Sequence, residues 1–198
     1  MATKIDMNSI RSKVVRSKPV LDATERIAKT VAFGAQAVAE TEFSNNDITK
    51  EIIKGPFAKN ISGLLNGYGN LFSFIGFVRG TTPAADVLAE FKKVSFKGLK
   101  NIIVRRTKAV YEYKFSIPSS EDFLAATPLP WLSGRSWLKG ISQGISNFGY
   151  YLAYKGRGRS SGGKQEDHKL RNATIKTDPY FTRIYNTFSK VFKPWIKF

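Results

Sequence analysis

Cysteine is missing from this chain of 198 residues, and histidine occurs once, at His168. Without cysteine there are no disulfides, no thiolate metal sites and no thiol nucleophile, and thiol usage does not indicate a compartment. One histidine excludes a multi-histidine metal site within a single chain, and a Ser-His-Asp triad would have to use a residue in a Gly/Ser-rich loop. We therefore expect no metal, no other cofactor and no catalytic residues, which means that the protein is not an enzyme.

Carboxylates are also scarce, with 15 Asp and Glu against 32 Lys and Arg and a formal net charge of +17. The adjacent pairs Glu121-Asp122 and Glu166-Asp167 lie in polar or helix-capping contexts, and nothing suggests two carboxyl groups facing each other as in a glycosidase. A positive excess this large indicates a polyanionic partner. Charge alone does not choose among nucleic acid, anionic lipid and an acidic protein surface.

Long apolar runs are missing too, since none approaches the roughly 18 residues that span a bilayer. The polar start Met1–Asn8 lacks the apolar centre of a signal peptide. We expect a soluble protein without a cleaved signal and without a membrane partner. With 42% hydrophobic and 13% aromatic residues, the chain is long enough to bury a core as one domain, or as a domain with extensions.

Composition and periodicity predict an α+β fold in which a small antiparallel sheet packs against a long N-terminal helix and a central glycine-containing helix. The predicted parts are a basic N-terminal arm (1–18), an α+β core (19–153), a flexible basic Gly/Ser loop (154–169), a strand and C-terminal helix that complete the core (170–193), and an aromatic-basic tail (194–198).

Apolar residues at spacings of three and four predict the long helix, of about twenty residues, from Pro19. Its predicted apolar face consists of Leu21, Ile27, Ala28, Val31, Ala32, Ala35, Val38 and Ala39.

A turn at 45–47 precedes one short helix, and Thr82-Pro83 begins another, with Ala85, Val87, Leu88 and Phe91 facing inward. Asp178-Pro179 begins the closing helix, whose apolar face is Phe181, Ile184, Tyr185, Phe188, Val191 and Phe192, and Pro194 should end it.

Two stretches resemble strands. The apolar run Leu71–Val78 predicts a buried strand with a bulge at Gly76. In 102–117, Ala109, Tyr111, Tyr113, Phe115 and Ile117 share one side. The cations Arg105, Arg106 and Lys108 mark either a turn between two strands or the basic edge of one long strand. Ser119–Leu124 predicts one capped helical turn, and 170–177 a further strand.

The stretch Pro128–Leu152 predicts the central helix, with Ser136 as its N-cap. Gly140 and Gly144 each cost about 1 kcal/mol relative to alanine inside a helix, and they share a face, which indicates close backbone packing. A flexible or broken helix without a partner is the alternative. The candidate residues for a subunit or close-packing interface are Gly140, Gly144, Trp131, Trp137, Trp195 and Phe198.

Part of this stretch carries a resemblance: Pro-Trp leads into Gly-Arg-Ser-Trp at 134–137, and Gly-Ile-Ser-Asn-Phe-Gly follows at 144–149. An earlier segment combines Lys59-Asn-Ile-Ser-Gly63 with Gly69-Asn-Leu-Phe-Ser-Phe-Ile-Gly-Phe77. Together they resemble the neck or tail-completion (head-tail joining) proteins of long-tailed bacteriophages, most densely between residues 43 and 163.

The resemblance implies a non-enzymatic virion protein of the phage neck, assembled in the host cytoplasm. Such proteins form a homo-oligomeric ring around the DNA channel between the portal-proximal connector and the tail, and six or twelve copies are both open. Implied neighbours are connector or head-completion proteins and tail-terminator, sheath or tube proteins.

Basic residues at both ends are candidate contacts to genomic DNA or to an acidic partner: Arg11, Lys13 and Arg16 in the arm, and Arg157, Arg159 and Lys164 in the loop. Such groups follow a phosphate backbone without reading bases, and their binding weakens steeply with salt. Solvated side chains, or contacts to acidic faces of neighbouring subunits, explain them equally well. The alternative function is a basic RNA- or DNA-binding protein that uses the Arg/Gly loop and the termini.

Overall fold

The computed structural model describes residues 7–65, 69–105, 108–143 and 176–192. These residues form the predicted α+β fold, with eight helices, one 3-10 turn (Gly55–Phe57) and two antiparallel two-stranded sheets. The helices are α1 (Met7–Val15), α2 (Lys18–Asn45), α3 (Asp47–Ile53), α4 (Leu71–Ile75), α5 (Pro83–Phe91), α6 (Ser120–Ala125), α7 (Trp137–Gln143) and α8 (Tyr180–Phe192). The strands are β1 (Ser95–Val104), β2 (Ala109–Ser116), β3 (Pro128–Leu129) and β4 (Leu132–Ser136).

Residues 7–15, inside the predicted arm, form α1. Val15 is buried, and its carbonyl accepts a 2.9 Å hydrogen bond from the Tyr111 hydroxyl on β2. The apolar periodicity of these residues is weak. Helix α1 buries only one of its apolar side chains, and the remaining apolar side chains are exposed to solvent.

Helix α2 begins with Pro19 in its first turn and extends over 28 residues, longer than the twenty predicted. Ala28, Ala32 and Ala39 are buried as predicted, together with Phe43. The prediction was wrong for Ile27 and Val38, which are 57% and 54% exposed. The small alanines allow close packing on one side, so the side that carries Ile27 and Val38 faces solvent.

The predicted strand Leu71–Val78 is wrong, since Leu71–Ile75 form helix α4. Asn70 caps its start by accepting a 2.9 Å hydrogen bond from the Ser73 amide. Gly76 ends it in the left-handed region (φ 85°), so this glycine is a C-cap and not a bulge. All five residues of α4 are buried, and burial on every side removes the periodicity that separates a helix from a strand.

Helix α5 starts at Pro83 as predicted, although Thr82 makes no side-chain capping bond. Val87 and Phe91 are buried, whereas Ala85 is exposed and Ala84 takes the inward position.

A turn divides the long β segment into two strands, and the Arg105 amide closes it with a 2.8 Å bond to the Lys108 carbonyl. Strands β1 and β2 pair antiparallel, with Leu99 opposite Tyr113 and Ile102 opposite Tyr111. We call this unit, residues 95–116, the basic hairpin, because it carries six Lys or Arg against Glu112 alone. Next along the chain, α6 begins with the predicted cap, a capping box between Ser119 and Asp122.

The central helix begins directly after Ser136, whose hydroxyl accepts from the Lys139 amide at 3.3 Å. Helix α7 packs against α8 and β4. Its predicted continuation to Leu152 lies outside the described residues, as do the predicted loop 154–169, most of the predicted strand 170–177, the tail 194–198 and the predicted end at Pro194.

The core lies between α2 and α8 and extends through α3 to α7. Phe91 of α5 is its centre, with ring centroids 4.7 Å from Phe123 and 5.4 Å from Phe188. Tyr180 of α8 stacks on Phe43 at 6.2 Å. Among the helices within the described ranges, none is both long and apolar enough to cross a membrane.

Candidate interaction surfaces

The buried polar side chains of the described residues are the first candidates for a site. Glu51 is wholly buried, and its carboxylate accepts from the Leu71 amide at 2.6 Å and from the Ser62 amide at 2.9 Å. Both oxygens are therefore used to hold the glycine-rich segment that follows α3, at Ser62, close to the start of α4. No group of three or more His, Cys, Asp or Glu in the described part of the chain is placed to hold a metal ion.

Asn70 is the second buried polar link. Its side-chain amide donates to the carbonyls of Pro56 and Ala58, at 2.7 and 3.0 Å, while its oxygen caps α4 at Ser73. Nearby, the Asn60 side chain donates to the Leu65 carbonyl at 2.9 Å. These asparagines shape the corner between α3 and α4.

Tyr180 is 1% exposed, and burial raises the pKa of its phenol far above the ordinary value. The nearby Thr49 hydroxyl acts in the opposite direction on this pKa, although the two hydroxyls do not reach hydrogen-bond geometry with each other or with other described groups. The phenol therefore stays protonated near neutral pH and is a packing group.

The predicted interface residues divide by burial. Trp137 is 1% exposed and meets the Phe77 ring edge-on at 5.8 Å, and Gly140 is also buried. Trp131 is half-buried and donates through Nε1 to the Ile75 carbonyl at 2.7 Å. These three residues make contacts within the chain, while Gly144, Trp195 and Phe198 lie outside the described residues.

Of the predicted basic contacts, Arg11, Lys13 and Arg16 belong to α1 and the residue after it. Lys13 and Arg16 are exposed and Arg11 is half-buried. Arg157, Arg159 and Lys164 lie outside the described residues.

The basic hairpin presents a cationic surface that the search for sites in the sequence missed. Five of its cations are exposed: Lys97, Lys100, Arg105, Lys108 and Lys114. None of these five forms an ion pair within the described residues. The density of Lys and Arg in 95–116 is the sequence signal for this surface, but the sequence does not show which cations are exposed.

The other side of the basic hairpin is fixed to the helices. The Tyr113 hydroxyl lies 2.6 Å from that of Thr24 on α2, and Tyr111 donates to Val15 on α1. The Phe115 ring contacts Phe192 of α8 at 5.8 Å. Burial raises the pKa of the Tyr111 phenol, with a smaller contribution from Tyr113, so this anchoring hydroxyl remains a donor at neutral pH. The cations are thus carried on a rigidly held unit.

A groove of about 660 Å³ lies where the basic hairpin meets α8. Tyr113 and Phe115 line it from β2, and Tyr185 and Phe192 line it from α8. Lys100 and Lys114 also line it. Its walls are aromatic and its charged groups are positive, which suits an anionic group carried on an apolar body.

Helices α1 and α2 each expose several apolar side chains on one face. On α1, Met7, Ile10 and Val14 are 68%, 48% and 55% exposed, at spacings that place them on one face. On α2, Ile27 and Val38 share a face with Gly34, which is also exposed. The sequence does not show that these faces are exposed, because apolar residues at the same spacing are also typical of a buried helix face.

Comparison of the chain with protein-family models, with curated proteins and with solved structures gave no match.

Proposed function

We propose that the protein is a structural subunit of the neck of a long-tailed bacteriophage, where copies form a ring around the DNA channel and join the head or portal connector to the tail. The observation that carries the proposal is the basic hairpin, whose five exposed cations have no carboxylate partner among the described residues. A fixed cationic surface of this kind would attract genomic DNA or acidic neighbours in a ring.

The sequence resemblance gives independent support, because its motif residues build the fold. In the segment 59–77, Asn60 and Asn70 make the side-chain bonds of the α3–α4 corner, and Gly76 ends α4 with a positive φ. Gly134 has φ 76° in β4, and Trp137 lies in the core. Residues of these types are required by backbone geometry and packing, as expected for a protein that acts through its shape.

The proposed ring places identical copies side by side through heterologous contacts, which close at a rotation set by subunit geometry. Connector or head-completion proteins would lie on one side of the ring, and tail-terminator, sheath or tube proteins on the other. The structure leaves six and twelve copies equally open.

Immunogold labelling of purified virions tests the location. Gold at the junction of head and tail is the expected result, and particles without the chain, or with label elsewhere, would overturn the proposal. Mass photometry of the purified protein provides a second readout, because a ring appears as a fixed multiple of the 22.1 kDa subunit mass.

Charge reversal tests the role of the basic hairpin. Lys97→Glu combined with Lys114→Glu should lower the affinity for duplex DNA or for an acidic neighbour by at least about tenfold at moderate salt. The matched control is Lys54→Glu with Lys59→Glu, which changes the net charge equally at exposed positions outside the hairpin. Equal losses in both variants would show that only total charge matters.

The same hairpin also favours the second candidate, a basic RNA- or DNA-binding protein. That function requires tight binding of a nucleic acid by the single chain at physiological salt. The neck function requires association with itself and with other virion proteins, with weak, salt-sensitive DNA binding. Measuring nucleic-acid affinity and oligomeric state on one sample separates the two functions.

A further inference from the structure

Helices α1 and α2 each carry an apolar face that no other described residue covers. Met7, Ile10 and Val14 form the α1 face. The α2 face contains Ile27, Gly34 and Val38, and along it from 27 to 41 the remaining residues are Thr30, Val31, Ala37 and Thr41. This α2 face therefore carries no charge over about four helical turns, although the chain has a net charge of +17.

Gly34 distinguishes the α2 face from an ordinary exposed surface. A methyl group added at this position would meet no atom within 4 Å. Glycine inside a helix costs about 1 kcal/mol relative to alanine, and no contact within the described residues requires it here. A glycine in the middle of an exposed apolar face permits a second helix to approach closely.

Charge complements the two faces. The stretch 30–49 of α2 and α3 contains Glu40, Glu42 and Asp47 and no Lys or Arg. Residues 7–16 contain Arg11, Lys13 and Arg16 and no carboxylate. Of these carboxylates, Glu42 borders the α2 face, whereas Glu40 accepts from Gln36 and Asp47 pairs with Lys50. The faces are thus both apolar, with Glu42 at the edge of one and Arg11 and Lys13 on the helix that carries the other.

Within the described residues, α1 is too short to reach the far end of the α2 face in its own chain. The Tyr111 bond to the Val15 carbonyl holds the C-terminal end of α1 near the start of α2. Val38 lies twenty residues beyond Lys18, or about 30 Å along the helix, whereas α1 is only about 13 Å long. Within the described residues, α1 of the same chain therefore cannot cover that end of the α2 face.

We propose that α1 of one copy packs on the α2 face of the next copy. This contact is heterologous, since it uses two different surfaces, and repetition around an axis generates a ring. The contact deepens the proposed neck function by naming the surfaces through which subunits associate, and it rests on that function only for closure into a ring. One helix pair buries less than a standard interface, so the isolated contact is weak.

Disulfide trapping tests the contact, and the cysteine-free chain gives a clean background. Ile10→Cys protein is mixed with Val38→Cys protein under mild oxidation, and a disulfide-linked heterodimer is expected. The control partner for Ile10→Cys is Ile53→Cys on α3, since Ile53 is 57% exposed and Val38 is 54% exposed. Circular dichroism of each variant checks that it has folded.

Heterodimer yields at least about fivefold above the Ile53→Cys control support the contact. Equal yields overturn it, as does efficient homodimer formation by either helix variant alone, which indicates α1–α1 or α2–α2 pairing. Charge exchange adds a second readout: Lys13→Glu should reduce trapping, and Glu42→Lys in the partner should restore it. No rescue would contradict the proposed charge pairing.

These outcomes are separable from those of the proposed function. If the disulfide-linked heterodimer forms but virions do not contain the chain, the neck function is wrong and the contact between α1 and α2 stands. If immunogold labels the neck but no heterodimer forms, only the proposed contact is wrong.

Discussion

The amide of Leu71 donates a 2.6 Å hydrogen bond to the carboxylate of Glu51, twenty positions earlier in the chain. The other oxygen of the same buried carboxylate accepts from Ser62. One side chain therefore joins α3, the glycine-rich segment and the start of α4. Ser62 and Leu71 belong to the two motif segments on which the sequence resemblance depends. Glu51, which holds their backbone amides, lies outside both segments.

Glu51→Gln should destabilise the protein by about 1–3 kcal/mol, because the amide group offers one acceptor oxygen to two backbone donors and leaves a buried N–H unpaired. Urea unfolding followed by tryptophan fluorescence measures the change. The matched control is Glu42→Gln on the exposed side of α2, where we expect less than about 0.5 kcal/mol. A neutral result at Glu51 would show that the two amides have other partners.

Asn70→Asp should also destabilise the protein, by about 2 kcal/mol or more. The aspartate can still cap α4 at Ser73, but it cannot donate to the Pro56 and Ala58 carbonyls, and it places a negative charge beside them. Asn46→Asp is the control, because that side chain is half-buried and accepts from Ile48 in an ordinary N-cap. If both variants unfold at the same urea concentration, the two donated bonds contribute nothing.

Gly34→Ala should stabilise the isolated subunit by about 1 kcal/mol, because the added methyl group meets no atom within 4 Å and alanine favours the helix. For a chain of this size the expected rise in Tm is about 2–4 °C. Gly55→Ala is the matched contrast, since that position is equally open but has φ 74°. There the methyl group should lower Tm, because L residues are strained at positive φ. A lower Tm for Gly34→Ala would contradict the open helix surface.

The α6 capping box should depend on pH. Hydrogen bonds from the Ser119 amide, and then from the Ser119 hydroxyl, lower the pKa of the Asp122 carboxyl. A carboxyl whose pKa is lowered by folding contributes stability above its unfolded pKa, near 3.9. That contribution is lost as pH falls through the lower folded value.

An NMR titration of Asp122 measures this effect, with a folded pKa below the ordinary value of an aspartate as the expected result. Ser119→Ala removes the hydroxyl and should raise the pKa partway toward the ordinary value. A wild-type pKa at or above that value would contradict the cap.

The parts of the fold that sequence reasoning found have local causes. Pro19, Pro83 and Pro179 mark the starts of α2, α5 and α8, and Ser119 with Asp122 marks α6. The alternation from Ala109 to Phe115 likewise belongs to the single strand β2, in which Tyr113 is buried, although Val110 on the other side is buried as well. In each case the sequence pattern and the helix or strand that it predicts involve the same few neighbouring residues.

What sequence reasoning missed depends on distant neighbours. Helix α4 is buried on all sides, so its five residues carry no period. Ile27 and Val38 fit the apolar pattern of α2 equally well inside or outside, and only the placement of α8 and the basic hairpin decides which side faces solvent. The exposed cations of that hairpin were likewise visible in the sequence as charges, but not as one surface.

Helix α2 is about 42 Å long, and about 33 Å of it separates the hydroxyl contact between Thr24 and Tyr113 from the Asn46 cap of α3. An unbroken helix of this length resists bending along its axis. Helix α2 therefore keeps the basic hairpin, which it contacts through Thr24, at a fixed distance from the corner between α3 and α4.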